Sequence, residues 1–139
     1  MTTEIVRKPK FEYDIPFQKK ILCLLKQEHS FATSVASVLS EDHFDKKIHR
    51  WLASEILKYA KRNNHSIPDD AVRIQAKHAT RTGRLQPEDY ERIKKMLPSL
   101  SLPLKEQSFV KEELHGFVEN QVWREFIIDS FDLLKKRKF

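Results

Sequence analysis

Glu112 and His115 form the one Glu-x-x-His pair in this sequence, a spacing that places two metal ligands on one face of a helix. Di-iron bundles require two such pairs and two further carboxylates, so one pair alone builds no centre and no metal ligand is expected. The six histidines (His29, His43, His49, His65, His78 and His115) share no common spacing and read as surface or helix-packing residues. No serine is accompanied by a base and an orienting acid. The sequence holds no Gly-x-x-x-x-Gly-Lys-[Ser/Thr] loop, no Cys-x-x-Cys and no His-Glu-x-x-His, and 2 glycines cannot build a phosphate cradle. Catalytic, cofactor-binding and metal-binding residues are therefore expected to number none, and the chain by itself is expected not to be an enzyme.

The other chemistry available is phosphate contact. Lys46, Lys47, Arg50, Lys58, Lys61 and Arg62 fall on one helix, and Arg73, Lys77, Arg81 and Arg84 on the next; such side chains on a common surface would bind a nucleic-acid backbone. The net charge of +6 permits it. The charges are nevertheless mixed with 20 acids, and Glu41, Asp42, Asp45 and Glu55 dilute the field, so a solvated helix exterior is the plainer reading. The single cysteine, Cys23, lies in the apolar run Ile21-Leu22-Cys23-Leu24-Leu25 and reads as an inert core residue.

The elements that position these groups are helices. Apolar content of 40% with 33% charge describes a globular chain, and 2 glycines disfavour a turn-rich β architecture. No sustained two-residue alternation occurs, so the expected class is all-α. Residues 1–13 are polar and aperiodic, an expected flexible tail without the apolar core of a secretory signal. Residues 14–104 should form a helical head. Asp14-Ile15-Pro16 opens its first helix, with Phe17, Ile21, Leu24 and Leu25 inward. A second short helix carries Phe31, Val35, Val38 and Leu39, and Phe44 anchors the polar turn that follows. Asp45 is expected to cap a helix to about Arg62, with Ile48, Trp51, Leu52, Ile56 and Tyr59 inward. Ser66 and Asp69 resemble a capping box for a helix with Ala71, Ile74, Gln75 and His78 on its inner face, stopped at Gly83. Gln86-Pro87-Glu88-Asp89 starts another, which Pro98 should end. No apolar run approaches the ~20 residues of a membrane span, and a cytosolic setting is expected.

Residues 105–139 read as one long helix with too much apolar surface for one partner. At about 100° per residue, Val110, Leu114, Phe117 and Ile128 share one stripe. Phe109, Trp123, Ile127, Phe131 and Leu134 fall on a second, and Val122, Phe126 and Leu133 on a third. A helix packed by one face needs one stripe. The expected interface for self-association is Phe109, Val110, Leu114, Phe117, Trp123, Phe126, Ile127, Phe131 and Leu134. The stretch ends in Lys135-Lys136-Arg137-Lys138 with no helix stop, as though a longer protein continued.

Between Gln18 and Leu52 the chain resembles the N-terminal domain of DnaB-type hexameric replicative DNA helicases, most closely the T-even-like phage branch. The resemblance rests on Ile21-Leu22-Cys23-Leu24-Leu25, on Val35 and Leu39, on Asp42-His43-Phe44, and on Ile48-His49-Arg50-Trp51-Leu52-Ala53-Ser54-Glu55-Ile56. Ser66-Ile67-Pro68 and Phe109-Val110-Lys111-Glu112-Glu113-Leu114, with Phe117 and Val118, extend it in outline over residues 17–135. It implies a helical head joined to a helical hairpin, hairpins packed into a dimer or a hexameric ring, and docking to primase or a helicase loader. DNA would be met through the full ring, and ATP and Mg would belong to a separate motor domain. The alternative is a stand-alone helical DNA-binding or helicase-loading accessory protein.

Overall fold

The computed structural model describes residues 13–103 and 105–137. Six α-helices make up the chain there: α1 Ile15–Gln27, α2 His29–Val35, α3 Lys47–Arg62, α4 Asp69–Arg81, α5 Pro87–Leu100 and α6 Gln107–Arg137, with a 3-10 turn at Glu41–His43 before α3. The class is all-α, with no strand among the described residues. No helix among them is long and apolar enough to cross a membrane. The tail expected over residues 1–13 lies outside the described residues except for Tyr13, which is packed: its hydroxyl donates to the Glu113 carbonyl at 3.0 Å and its ring lies 4.7 Å from that of Phe17.

α1 is the hub of the head. Asp14 Oδ1 accepts from the Phe17 N–H at 2.9 Å and Pro16 sits in the first turn, so the helix starts where both residues favour a start. Every residue from Ile21 to Lys26 is buried, because α3, α5 and α6 pack around it. Lys26 is tolerated inside by its ion pair with Asp69 at 2.5 Å. Three polar side chains, two on α1 and one at the start of α2, tie neighbouring segments to the head. Gln18 Nε2 donates to the Tyr13 carbonyl and to Asp45 Oδ2, and its Oε1 accepts from the Asp45 N–H. Gln27 Nε2 donates to the carbonyl of Leu100, which the end of α5 leaves without a helical partner, and to that of Leu102 just beyond the helix. His29 Nε2 meets the carbonyls of Ala60 and Asn63 at the end of α3.

Four local expectations need correction. Asp45 does not cap α3: Lys46 is the N-cap residue and makes no side-chain bond, because the Asp45 carboxylate is taken by Gln18. Ser66 and Asp69 form no capping box; Ser66 Oγ donates to the Gln27 carbonyl, and Asp69 is drawn to buried Lys26. Pro98 lies inside α5, which continues to Leu100 because Leu97 and Leu100 are fully buried and hold the last turn against the core. Ile74 is 54% exposed. The inner stripe of α4 is Val72, Ala76 and Ala79, and these small residues admit close approach to α5 while Ile74 stays outside. Gly83 does terminate this stretch, in the left-handed conformation at φ 82° that glycine adopts freely.

The phase of α3 is also rotated from expectation. Its buried residues are His49, Leu52, Ala53, Ile56, Leu57 and Ala60, while Ile48, Trp51 and Tyr59 flank the core half-buried. Phe44 is buried as an anchor ahead of the helix.

Candidate functional site

α6 is packed along its first turns and exposed beyond them. Its first turns complete the head: Val110 and Leu114 are fully buried, and Phe117 and Val118 pack partly against the same core. Ring contacts join Phe109 to Phe17 at 6.2 Å and Phe117 to His43 at 5.1 Å. Ion pairs from Lys20 to Glu106 at 2.5 Å and from Lys111 to Glu28 at 2.6 Å bracket the contact. Val110 and Leu114, expected at an interface between copies, are therefore core residues of the chain itself, and Phe117 is largely spent the same way. The amino-terminal part of the first apolar stripe, through Phe117, meets its own domain.

The other residues expected at an interface are exposed, although Phe109 keeps its edge contact with Phe17. Trp123 is 64% exposed, Phe126 60% and Phe131 51%, and Phe109, Ile127 and Leu134 are exposed with Val122 and Leu133. From Val122 to Lys135 only Ile128 and Ser130 are less than exposed. At about 100° per residue, the centre of this free band lies roughly 150° around the helix from the stripe that meets the head. The head cannot cover a band on the far side of a helix it already holds. Taking 150–250 Å² for an aromatic side chain, the three rings alone expose roughly 350 Å², already comparable with the largest patch of an ordinary monomer. Trp123 and Phe126 meet edge to face at 5.9 Å, and Lys135 Nζ lies 5.3 Å from the Phe131 ring.

The cationic residues divide into two groups. From Lys46 to Lys61, α3 rises roughly 22 Å, so Lys58, Lys61 and Arg62 occupy the end opposite Lys46 and Lys47. Arg50 donates to the carbonyls of Phe44 and Asp45, and Lys58 lies 4.0 Å from Glu55. At the other end, Lys46 and Lys47 line an open cleft of about 820 Å³ with Lys19, Ile48, His49, Asp89, Arg92, Lys95, Met96 and Ser99. Lys19, His49, Arg92 and Lys95 were not among the phosphate-contact residues expected from sequence. They come from three helices distant in the chain, and no spacing within one helix signals them.

Charge in the cleft is unbalanced. Asp89 is its one carboxylate. It accepts from the Gln86 N–H at 3.0 Å, closing a capping box on α5, and from Lys47 Nζ at 2.9 Å. Those two bonds, the backbone one foremost, hold its carboxyl below the ordinary 3.8. His49 is 2% exposed. Burial first, then the charges of Lys46 and Lys19, lower its imidazole from the ordinary 6.5, so the ring is neutral at pH 7. Glu112 and His115, the one metal-type pair, are both exposed on α6, and the His115 ring packs 5.5 Å from Phe31. No group of three or more histidine, cysteine or acidic residues among the described residues is arranged to hold a metal ion. Compared with family models, with curated proteins and with solved structures, the chain matches none.

Proposed function

We propose that this chain is an assembly and docking domain, the N-terminal collar element of a hexameric replicative DNA helicase of the DnaB type. In this reading the head presents its outer surface to primase or a helicase loader, and the free face of α6 joins copies into a dimer or a ring. ATP, Mg and strand separation belong to a motor domain. The observation that carries the reading is the apolar band of Trp123, Phe126, Ile127, Phe131 and Leu134, exposed on the side of α6 away from the head. A second copy of the same helix supplies a matching apolar band, and closed symmetry makes a dimer, or a ring built from dimers, the natural product. Aromatic anchors dominate such contacts. The order of residue blocks from Gln18 to Leu52, followed by a long helix opening at Phe109, is what suggests a helicase collar rather than another assembly.

The test is sedimentation of the chain at high concentration beside a Trp123→Glu/Phe131→Glu variant. The wild type should associate reversibly, and the variant should remain a folded monomer with unchanged helix content. Identical monomers in both samples would remove the assembly role. A second reading, a stand-alone DNA-binding or helicase-loading protein, draws its support from the cationic cleft beside Lys46. It requires tight DNA binding at physiological salt, where a few phosphate contacts retain little affinity.

A further inference from the structure

The cleft between α1, α3 and α5 has what an anion site needs and no anion-like group of its own left to fill it. Asp89 is engaged by Lys47 and by the Gln86 N–H. Lys19, Lys46, Arg92 and Lys95 have no carboxylate partner among the described residues. α3, 16 residues long, opens into the cleft without a side-chain cap. Its first-turn N–H groups have no helical acceptor, and the helix dipole adds about half a positive charge there. An independent observation concerns His49: the side chain lines the cleft, is 2% exposed, and its buried Nδ1 has no hydrogen-bond partner. That nitrogen is itself sealed from solvent, and what calls for an anion is the convergence of Lys19, Lys46, Arg92 and Lys95 from three helices on one cleft with a single carboxylate.

We propose that this cleft is a phosphate-binding site, formed by the amino end of α3 with His49 and flanked by Lys19, Lys46, Arg92 and Lys95. Its ligand is a phosphate group carried by a nucleic-acid strand or by a small phosphate compound. Backbone N–H groups at a helix start take phosphate oxygens directly, and the lysines and arginine supply the charge. Apart from His49 the cleft presents no aromatic ring on which a base would stack. Recognition is thus of phosphate and not of base, and a bound strand is read without regard to sequence. The site is separate from the free face of α6, so it stands or falls independently of self-association.

The test uses the whole chain in about 50 mM salt, with a fluorescently labelled oligo(dT) strand and with pyrophosphate as the two probes. Two double variants carry the same charge change: Lys46→Glu/Lys95→Glu in the cleft, and Lys58→Glu/Lys61→Glu on α3 with Lys61 at its far end. Oligo(dT) affinity should fall about tenfold or more in the first and stay within about twofold in the second. The salt slope should drop by about 1.4, from two single-strand phosphate contacts at about 0.7 each. Pyrophosphate should shift the His49 ring resonances in the wild type and not in the cleft variant. Binding of pyrophosphate alone would assign the cleft to small phosphate compounds, and binding of oligo(dT) alone to strands. Equal losses in both variants, or no binding of either probe by the wild type, would overturn the proposal.

Discussion

Removing the Gln18 amide should be among the costliest polar changes in the head. The side chain is fully buried. Nε2 donates to the Tyr13 carbonyl at 2.7 Å and to Asp45 Oδ2 at 2.9 Å, while Oε1 accepts from the Asp45 N–H at 3.1 Å. A bond to a carboxylate contributes about 1.5–3 kcal/mol and each neutral one about 0.5–1.5. Water can reach Asp45, which is exposed, and recovers part of the loss. Gln18→Ala should therefore cost about 2–4 kcal/mol, leaving a folded chain if its stability lies in the usual range of about 5–15. Gln18→Glu should cost more at pH 7, because an ionised carboxyl donates to neither oxygen and faces the Asp45 carboxylate. Burial and that neighbour raise the folded pKa of the introduced carboxyl above its unfolded value of about 4.3. Its protonated form suits the fold, so the lost stability is regained as pH falls through the folded pKa toward the unfolded one. Urea melts followed by circular dichroism at pH 7 and pH 5 measure both effects. A Gln18→Ala loss below about 1 kcal/mol, or a Gln18→Glu deficit that does not shrink at pH 5, would refute this account of how α1 holds the entrance of α3.

Leu52→Ala should cost about 2–5 kcal/mol, since Leu52 is fully buried, and Trp51→Ala should cost less than a wholly buried tryptophan would, since half-buried Trp51 leaves a site that water fills; a Trp51 cost above that of Leu52 in equilibrium melts would reverse the assigned phase of α3. The lowered pKa of His49 means that between its folded value and about 6.5 the unfolded chain binds more protons. Stability should thus fall as pH drops below 6.5, and His49→Gln should flatten that slope; parallel pH profiles for the two proteins would show that His49 contributes no such linkage.

Much of the head was legible because caps and glycines act locally. Asp14, Pro16, Gly83 and the Gln86-Pro87-Glu88-Asp89 start each fix a helix end through atoms within a few residues. Where a side chain had a distant competitor, local reading failed. Asp45 prefers Gln18 across 27 positions of sequence, and Asp69 prefers Lys26. Size misled at α4: a periodicity search favours Ile74 over Ala76 and Ala79, although two helices in close contact need small residues between them. The apolar excess of the last helix was visible as three stripes. Which stripe the head uses was not, because that depends on where α1 and the 3-10 turn place Phe17 and His43. The cleft was half legible: Lys46 and Lys47 stood out by composition, whereas Lys19, His49, Arg92 and Lys95 meet only after folding.

Gly116 lies within the anchored part of α6, ahead of half-buried Phe117 and Val118 and of Gln121, which is 2% exposed, and the helix runs through it unbroken. No atom stands within 4 Å of where a Cβ would be, so the glycine answers no steric demand. Its effect is mechanical. Lacking a side chain and carrying the weakest helix preference save proline, it is the most compliant point of the rod, with roughly 32 Å of helix beyond it. Bending by about 10° there would sweep the tip through about 5–6 Å, and it would also shift Phe117, Val118 and buried Gln121 from their places. The packing beyond the glycine thus braces the most compliant point of the rod, and the unsupported stretch of α6 begins only past Gln121, from Val122 onward.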